Sequence, residues 1–146
     1  MSASVSSSTP AKAESRPAAS RVSFPALRDP RYPVHKIADQ LEPYLRFIVE
    51  RFHPEKIILF GSQACGHPNE HSDVDLLIIR RGIASEKESN VEIRMAFDEV
   101  PARHLFSFTI LSKTPERIRE RLAVKSPYYE DIVRKGLELY DATTDR

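Results

Sequence analysis

Two short apolar runs carry the strongest pattern in the chain. Ile57-Ile58-Leu59-Phe60 is continuous and β-branched at its start, which predicts a strand buried on both faces, and Gly61 ends it. Asp73-Val74-Asp75-Leu76-Leu77-Ile78-Ile79 predicts a second strand, with Val74, Leu76 and Ile78 on one face and Leu77 and Ile79 on the other. Only the two carboxylates interrupt that run. Leu105 to Leu111 alternates Leu105, Ser107, Thr109 and Leu111 against Phe106, Phe108 and Ile110, the pattern of a third strand with one mixed face.

Between and around these runs the period lengthens to that of helices. Ile37, Leu41, Tyr44, Leu45, Ile48, Val49 and Phe52 fall on one helical face; Pro43 points to a restart at Glu42, and His53-Pro54 stops the helix after Arg51. Ser85 with Glu88 forms a capping box ahead of a helix whose apolar positions are Val91, Ile93, Met95, Phe97 and Val100, closed by Pro101. Thr114-Pro115 and Ser126-Pro127 each place an N-cap before a proline at the first helical position. Ile118 and Leu122 turn inward in the first of these helices, and Tyr128, Tyr129, Ile132 and Val133 follow in the second. Gly136 then suits a helix end, and Leu137 to Tyr140 a short edge strand.

These elements give an α+β fold: a mixed sheet of three to four strands, the three apolar strands central, with helices packed on one side. The domain is expected over residues 33–142, followed by a short tail at 143–146. Residues 1–32 are rich in Ser, Ala and Pro and poor in large apolar side chains, so they read as a disordered tail. Organelle transit peptides share that composition, but no clear amphipathic helix accompanies it here.

Charge and cysteine content narrow the function classes. Lys+Arg (22) and Asp+Glu (21) nearly cancel, which leaves no bulk field for nucleic acid; any such contact would be a local patch. A single cysteine, Cys65, rules out an internal disulfide and fits a reducing, cytoplasmic setting. No apolar run reaches the length of a membrane span. His67 and His71 stand in a polar loop with no third ligand aligned to them, a solvated loop more than a zinc half-site. The arginines at 117, 119 and 121 interleave with Glu116 and Glu120, the pattern of a solvated helix face.

The chemistry concentrates between the first two strands. Gly61 lets the backbone turn sharply and approach a ligand, and Ser62 can cap the short helix begun by Gln63-Ala64-Cys65, a place where free amides attract phosphate. Asp73 and Asp75 share a strand face about 6.5 Å apart along the strand. Two bare carboxylates there repel each other. A divalent ion removes the conflict, and Mg²⁺ (or Mn²⁺) favours one or two carboxylates together with substrate phosphates.

Gly61-Ser62, ten residues, then Asp73-Val74-Asp75 resembles the Gly-Ser…Asp-x-Asp signature of the DNA polymerase beta-type nucleotidyltransferase superfamily, and its small standalone, MNT-like bacterial branch in particular. In the branch wording GSxAxG…SDxDL, Gly61, Ser62, Ala64, Gly66, Ser72, Asp73, Asp75 and Leu76 all stand in place, and the likeness extends over about residues 45–141. The resemblance implies transfer of a nucleoside monophosphate from an NTP, ATP first among them, to a hydroxyl acceptor. It implies Asp73 and Asp75 as catalytic metal ligands, and Gly61 and Ser62 as the triphosphate-binding pair. It also implies a small helical partner protein. One position departs from the family pattern. Its third acid, counted back from Pro115, falls on Thr109, and a shift of two residues finds Ser107, so a hydroxyl replaces a carboxylate. A hydroxyl supplies neither negative charge for a second metal nor a base for the nucleophile. The second reading that follows is a degenerate nucleotide-binding module acting as an antitoxin-like or regulatory partner of another chain.

Overall fold

A computed structural model describes residues 22–69, 72–101 and 106–144. Four strands form one mixed sheet: β1 (Lys56–Phe60), β2 (Val74–Ile79), β3 (Phe108–Lys113) and β4 (Leu137–Asp141), in the spatial order β3-β2-β1-β4. β1 runs antiparallel to both β2 and β4, while β3 is parallel to β2. The sheet is thus the expected mixed one, with β4 the expected edge strand. The expectation that the three apolar strands are all central needs correcting, because β3 lies at the other edge.

Five helices complete the described fold: α1 (Ala38–Phe52), α2 (Ser62–Cys65), α3 (Glu86–Ala96), α4 (Pro115–Ala123) and α5 (Pro127–Lys135). α1 buries Ala38, Leu41, Tyr44, Leu45, Ile48 and Val49, the face its period predicts. It begins before the predicted restart and holds Pro43 inside, where the missing N–H forfeits one intrahelical bond without ending the helix. His53, in the left-handed conformation, closes it by donating its N–H to Val49 O at 3.1 Å, and the buried Pro54 follows. Two of the four predicted N-caps make side-chain bonds, Ser85 Oγ accepting from Glu88 N at 3.2 Å and Thr114 Oγ1 from Arg117 N at 3.1 Å; Ser126 caps α5 without one, and at α2 the cap is Gly61, with Ser62 the first helical residue.

The alternation within β1 and β2 sorts the core into two clusters, one on each sheet face. Ile57, Leu59, Val74, Leu76 and Ile78 meet α1, Ile93 of α3 and Leu137 and Leu139 of β4. Ile58, Leu77 and Ile79 meet Ile118 of α4 and Tyr129 and Ile132 of α5. Helices therefore cover both faces, whereas the sequence predicts them on one. The second cluster is small because α4 and α5 contribute few apolar side chains, so the parity of β2 was the readable trace of it.

Two further expectations are overturned. Residues 22–32, read as the end of a disordered tail, pack on the fold: Val22, Phe24 and Leu27 are buried in the larger cluster, and Pro25–Arg28 forms a turn of 3₁₀ helix. Composition averaged over the whole N-terminal stretch hid three apolar residues in a short run. Residues 1–21 lie outside the described residues. In α3 the inward face is Ser89, Ile93 and Ala96, while Val91 (48 % exposed) and Met95 (69 %) turn outward. The buried Ser89 explains the shift, since its hydroxyl donates to Ser112 Oγ (2.9 Å) and accepts from Arg80 (2.7 Å), and Asn90 Oδ1 accepts the Ser112 N–H at 2.6 Å. These polar contacts fasten α3 over the outer edge of β3 and occupy one of its outward N–H groups.

Candidate functional site

The turn out of β1 and the start of β2 are built against each other. Gly61 has φ +78° and ψ −156°, a conformation essentially restricted to glycine. A Cβ on it would stand 2.2 Å from Asp75 Oδ2, so the carboxylate lies directly over the Gly61 backbone. The first bonds of α2 run from Ala64 N and Cys65 N to Gly61 O, which leaves the Ser62 and Gln63 amides ahead of the first intrahelical bond. Ser62 is half-buried beside them.

Asp75 is flanked on both sides by register partners, Phe60 in β1 and Thr109 in β3. Its parity places it on the sheet face of Leu77 and Ile79, the side that α4 and α5 cover. Burial raises its pKa above the ordinary carboxylate value, the Thr109 hydroxyl lowers it by donating a hydrogen bond, and the Asp73 charge raises it again. Asp73 is exposed one residue before β2 begins. Of the sequence-predicted pair, Asp75 is thus brought against Gly61, while Asp73 is exposed and acts on Asp75 through its charge.

A partly buried carboxylate that feels the charge of another and is bonded by the neutral Thr109 hydroxyl suits a hard divalent cation as its counterion. Two carboxylates and substrate phosphates make an adequate donor set for one Mg²⁺. Among the described residues no group of three or more His, Cys, Asp or Glu side chains converges to hold a metal. The two acids just after α3 do not supply the missing ligand: Glu99 pairs with Arg51 at 2.7 Å, and Asp98 lines a cavity with Tyr44, Phe97 and Phe108 on the α1 side of the sheet. Thr109 is therefore where the count from Pro115 puts it, bonded to the carboxylate it stands beside. His67 is exposed, and His71 lies outside the described residues.

One neighbour of the site was not singled out in the sequence. Tyr128, at the start of α5, is 55 % exposed, and its ring packs edge-on against Phe60 at 6.4 Å. Its phenol pKa is raised, first by burial and then by Tyr129 and the Asp75 carboxylate, so the hydroxyl lies in the field of the site. The readable signal was the Tyr128-Tyr129 doublet: adjacent helical positions point about 100° apart, so a helix that buries Tyr129 leaves Tyr128 at the margin of its apolar face.

No helix among the described residues is long and apolar enough to cross a membrane. A comparison with curated proteins finds no match. The family described as "Polymerase beta, Nucleotidyltransferase" matches residues 44–127, from within α1 to the first residue of α5 and so across the Gly-Ser turn, both aspartates and Thr109. With more than half of its 146 residues matched, the chain belongs to the polymerase beta-type nucleotidyltransferase family.

Proposed function

We propose that this chain transfers a nucleoside monophosphate from an NTP, ATP first among them, to a hydroxyl acceptor. The acceptor oxygen bonds to the α-phosphorus, the α–β phosphoanhydride bond breaks, and pyrophosphate leaves. Asp73 and Asp75 hold Mg²⁺ or Mn²⁺. The ion, when bound, neutralises phosphate charge in the transition state. Ser62 and the amides at the start of α2 orient the β- and γ-phosphates. The observation that supports this reading is the closeness of the Asp75 carboxylate to Gly61, at the turn where the Ser62 and Gln63 amides precede the first intrahelical bond.

The test is calorimetric titration of Mg-ATP into wild type and Asp75→Asn. The substitution keeps the shape of the side chain and removes its charge, so the variant is expected to fold. Wild type binds, and the variant loses at least about tenfold in affinity, since a single exposed aspartate balances the cation poorly. Equal affinities would place the site elsewhere.

Thr109 supports a second reading. The proton of the acceptor hydroxyl has no carboxylate to receive it at the β3 position, because a hydroxyl that already donates to Asp75 stands there. A protein that binds nucleotide and metal but serves another chain as an antitoxin-like or regulatory partner, a small helical protein in particular, fits that feature. A radiolabelled NTP transfer assay with and without a candidate partner separates the two: label moved onto an acceptor supports the enzyme, and tight binding without transfer supports the regulatory module.

A further inference from the structure

The site has a side cavity of about 260 Å³ between the Gly-Ser turn and α5. Phe60, Gly61 and Cys65 form one wall, and Tyr128, Ile132 and Lys135 the other. It lies beside the Asp75 carboxylate, because Phe60 is the register partner of Asp75 and Gly61 underlies that carboxylate. Gly136, at its base, keeps α5 this close to β1: a Cβ there would stand 2.3 Å from Ile132 O and 2.8 Å from the Ile58 side chain.

The lining is mainly apolar and aromatic, which suits a flat ring and not a highly charged triphosphate tail. Tyr128 strengthens that distinction. It is a large aromatic side chain left 55 % exposed at the cavity, although the same helix buries Tyr129 and Ile132. Lys135 and Asp131 also line the cavity, both more than half exposed and 3.8 Å apart; Asp131 Oδ1 accepts from Arg134 at 2.9 Å, which leaves its second oxygen as an acceptor and the Lys135 ammonium as a donor for ring substituents. The cavity also lies on the β1 and α2 side of Asp75, with the Gly-Ser turn, whereas Thr109 is on the opposite, β3 side. The residues of the α5 wall, from Tyr128 on, follow the segment that the family match covers.

We infer that this cavity is the subsite for the nucleobase of the NTP, with the base held against the ring of Tyr128. The inference rests on the proposed NTP reading and adds where the base goes and which residues select it. Stacking on an aromatic side chain tolerates any base, so Tyr128 sets affinity, while Lys135 and Asp131 set which ring substituents are preferred.

Cys65 is the single cysteine of the chain and is exposed on the cavity wall, so its alkylation by N-ethylmaleimide reports on the cavity alone. The full-length protein is alkylated with each of the four common NTPs, or with tripolyphosphate, at equal occupancy by calorimetry and in excess Mg²⁺. At least one NTP is expected to slow alkylation about fivefold or more, and tripolyphosphate to leave it unchanged. Tyr128→Ala loses the NTP-specific protection and binds that NTP at least about fivefold more weakly, with tripolyphosphate affinity intact, while Tyr128→Phe behaves as wild type. Equal protection by tripolyphosphate would assign the cavity to phosphate and overturn the inference. NTP binding without protection would put the base elsewhere and overturn it as well, leaving the proposed function standing. Absence of any Mg-NTP binding would sink both.

Discussion

The Thr109 hydroxyl donates to the Asp75 carboxylate across neighbouring positions of the parallel β2–β3 pair. A hydroxyl and a carboxylate here are mutually satisfied without a cation, whereas two carboxylates would repel until a metal bound. Thr109→Asp is therefore expected to lower the melting temperature of the metal-free protein and to make it respond more strongly to Mn²⁺ and Mg²⁺. On the transferase reading the added acid also supplies a proton acceptor, worth on the order of 3 kcal/mol or about two decades in rate. Thermal melts with and without Mn²⁺, followed by NTP transfer assays, check both halves. Robust wild-type turnover that Thr109→Asp abolishes would show that the hydroxyl is the functional group.

Gly61→Ala faces two separate obstacles. Its φ of +78° disfavours any side chain, and the new Cβ would meet Asp75 Oδ2 at 2.2 Å. The expected cost is on the order of 1–3 kcal/mol from the backbone alone, together with loss of Mg-NTP binding as Asp75 is pushed aside. Combining Gly61→Ala with Asp75→Ala separates the terms. The carboxylate clash disappears in the double variant and the backbone strain stays, so the two destabilisations must be less than additive. Additive melting shifts would mean that the carboxylate moves away freely.

The parts of this architecture that were readable in the sequence are those in which one local pattern decides the outcome. The parity of Val74 to Ile79 separated the two sheet faces, and both halves of that assignment appear in the core clusters. Ser85 and Thr114 marked helix starts because their hydroxyls bond to amides three residues on. Gly61 was readable as a turn, but its closeness to Asp75 was not, since that contact depends on how β1 and β2 register. The misread positions are those where a distant partner overrides local preference. Ser89 faces inward because Ser112 and Arg80 satisfy it, and that turns Val91 and Met95 to solvent. Tyr128 comes to lie beside the Gly61 turn only because α5 folds back against Phe60, 68 positions earlier in the chain.

Leu27 tests the correction to the N-terminal boundary. The side chain is fully buried in the larger cluster, alongside Phe24 and Val22, although it precedes every sheet strand and α-helix in the described chain. Leu27→Ala is expected to cost roughly 2–5 kcal/mol, the usual range for a leucine removed from a packed core. For a domain of this size, that is a drop in melting temperature of about 8 °C or more. A shift under about 2 °C would return residues 22–32 to the status of a dispensable tail.

The same segment is fastened to α1 by charge, and that attachment should weaken in acid. Glu42 accepts from Arg28 at 2.5 Å and from Arg46, whose other nitrogen donates to Val22 O at 2.6 Å; Arg28 also bonds Asp39 at 2.7 Å. Burial acts to raise the Glu42 pKa, but the hydrogen bonds from Arg28 and Arg46 outweigh it and bring the group below its ordinary value of 4.5. A carboxylate depressed in the folded state contributes stability that is present above its unfolded value and is lost as the pH falls through the folded one. Glu42→Gln is therefore expected to melt lower than wild type at pH 7. The gap should begin to narrow as the pH falls below the ordinary value of 4.5 and close once the pH has passed below the depressed folded value. Other depressed carboxylates, including Asp29 at about 2 and Glu99, titrate alike in both proteins and cancel in the difference. Melting curves of the two proteins across that range measure it directly, and a gap independent of pH would mean that Glu42 acts by packing and not by its charge.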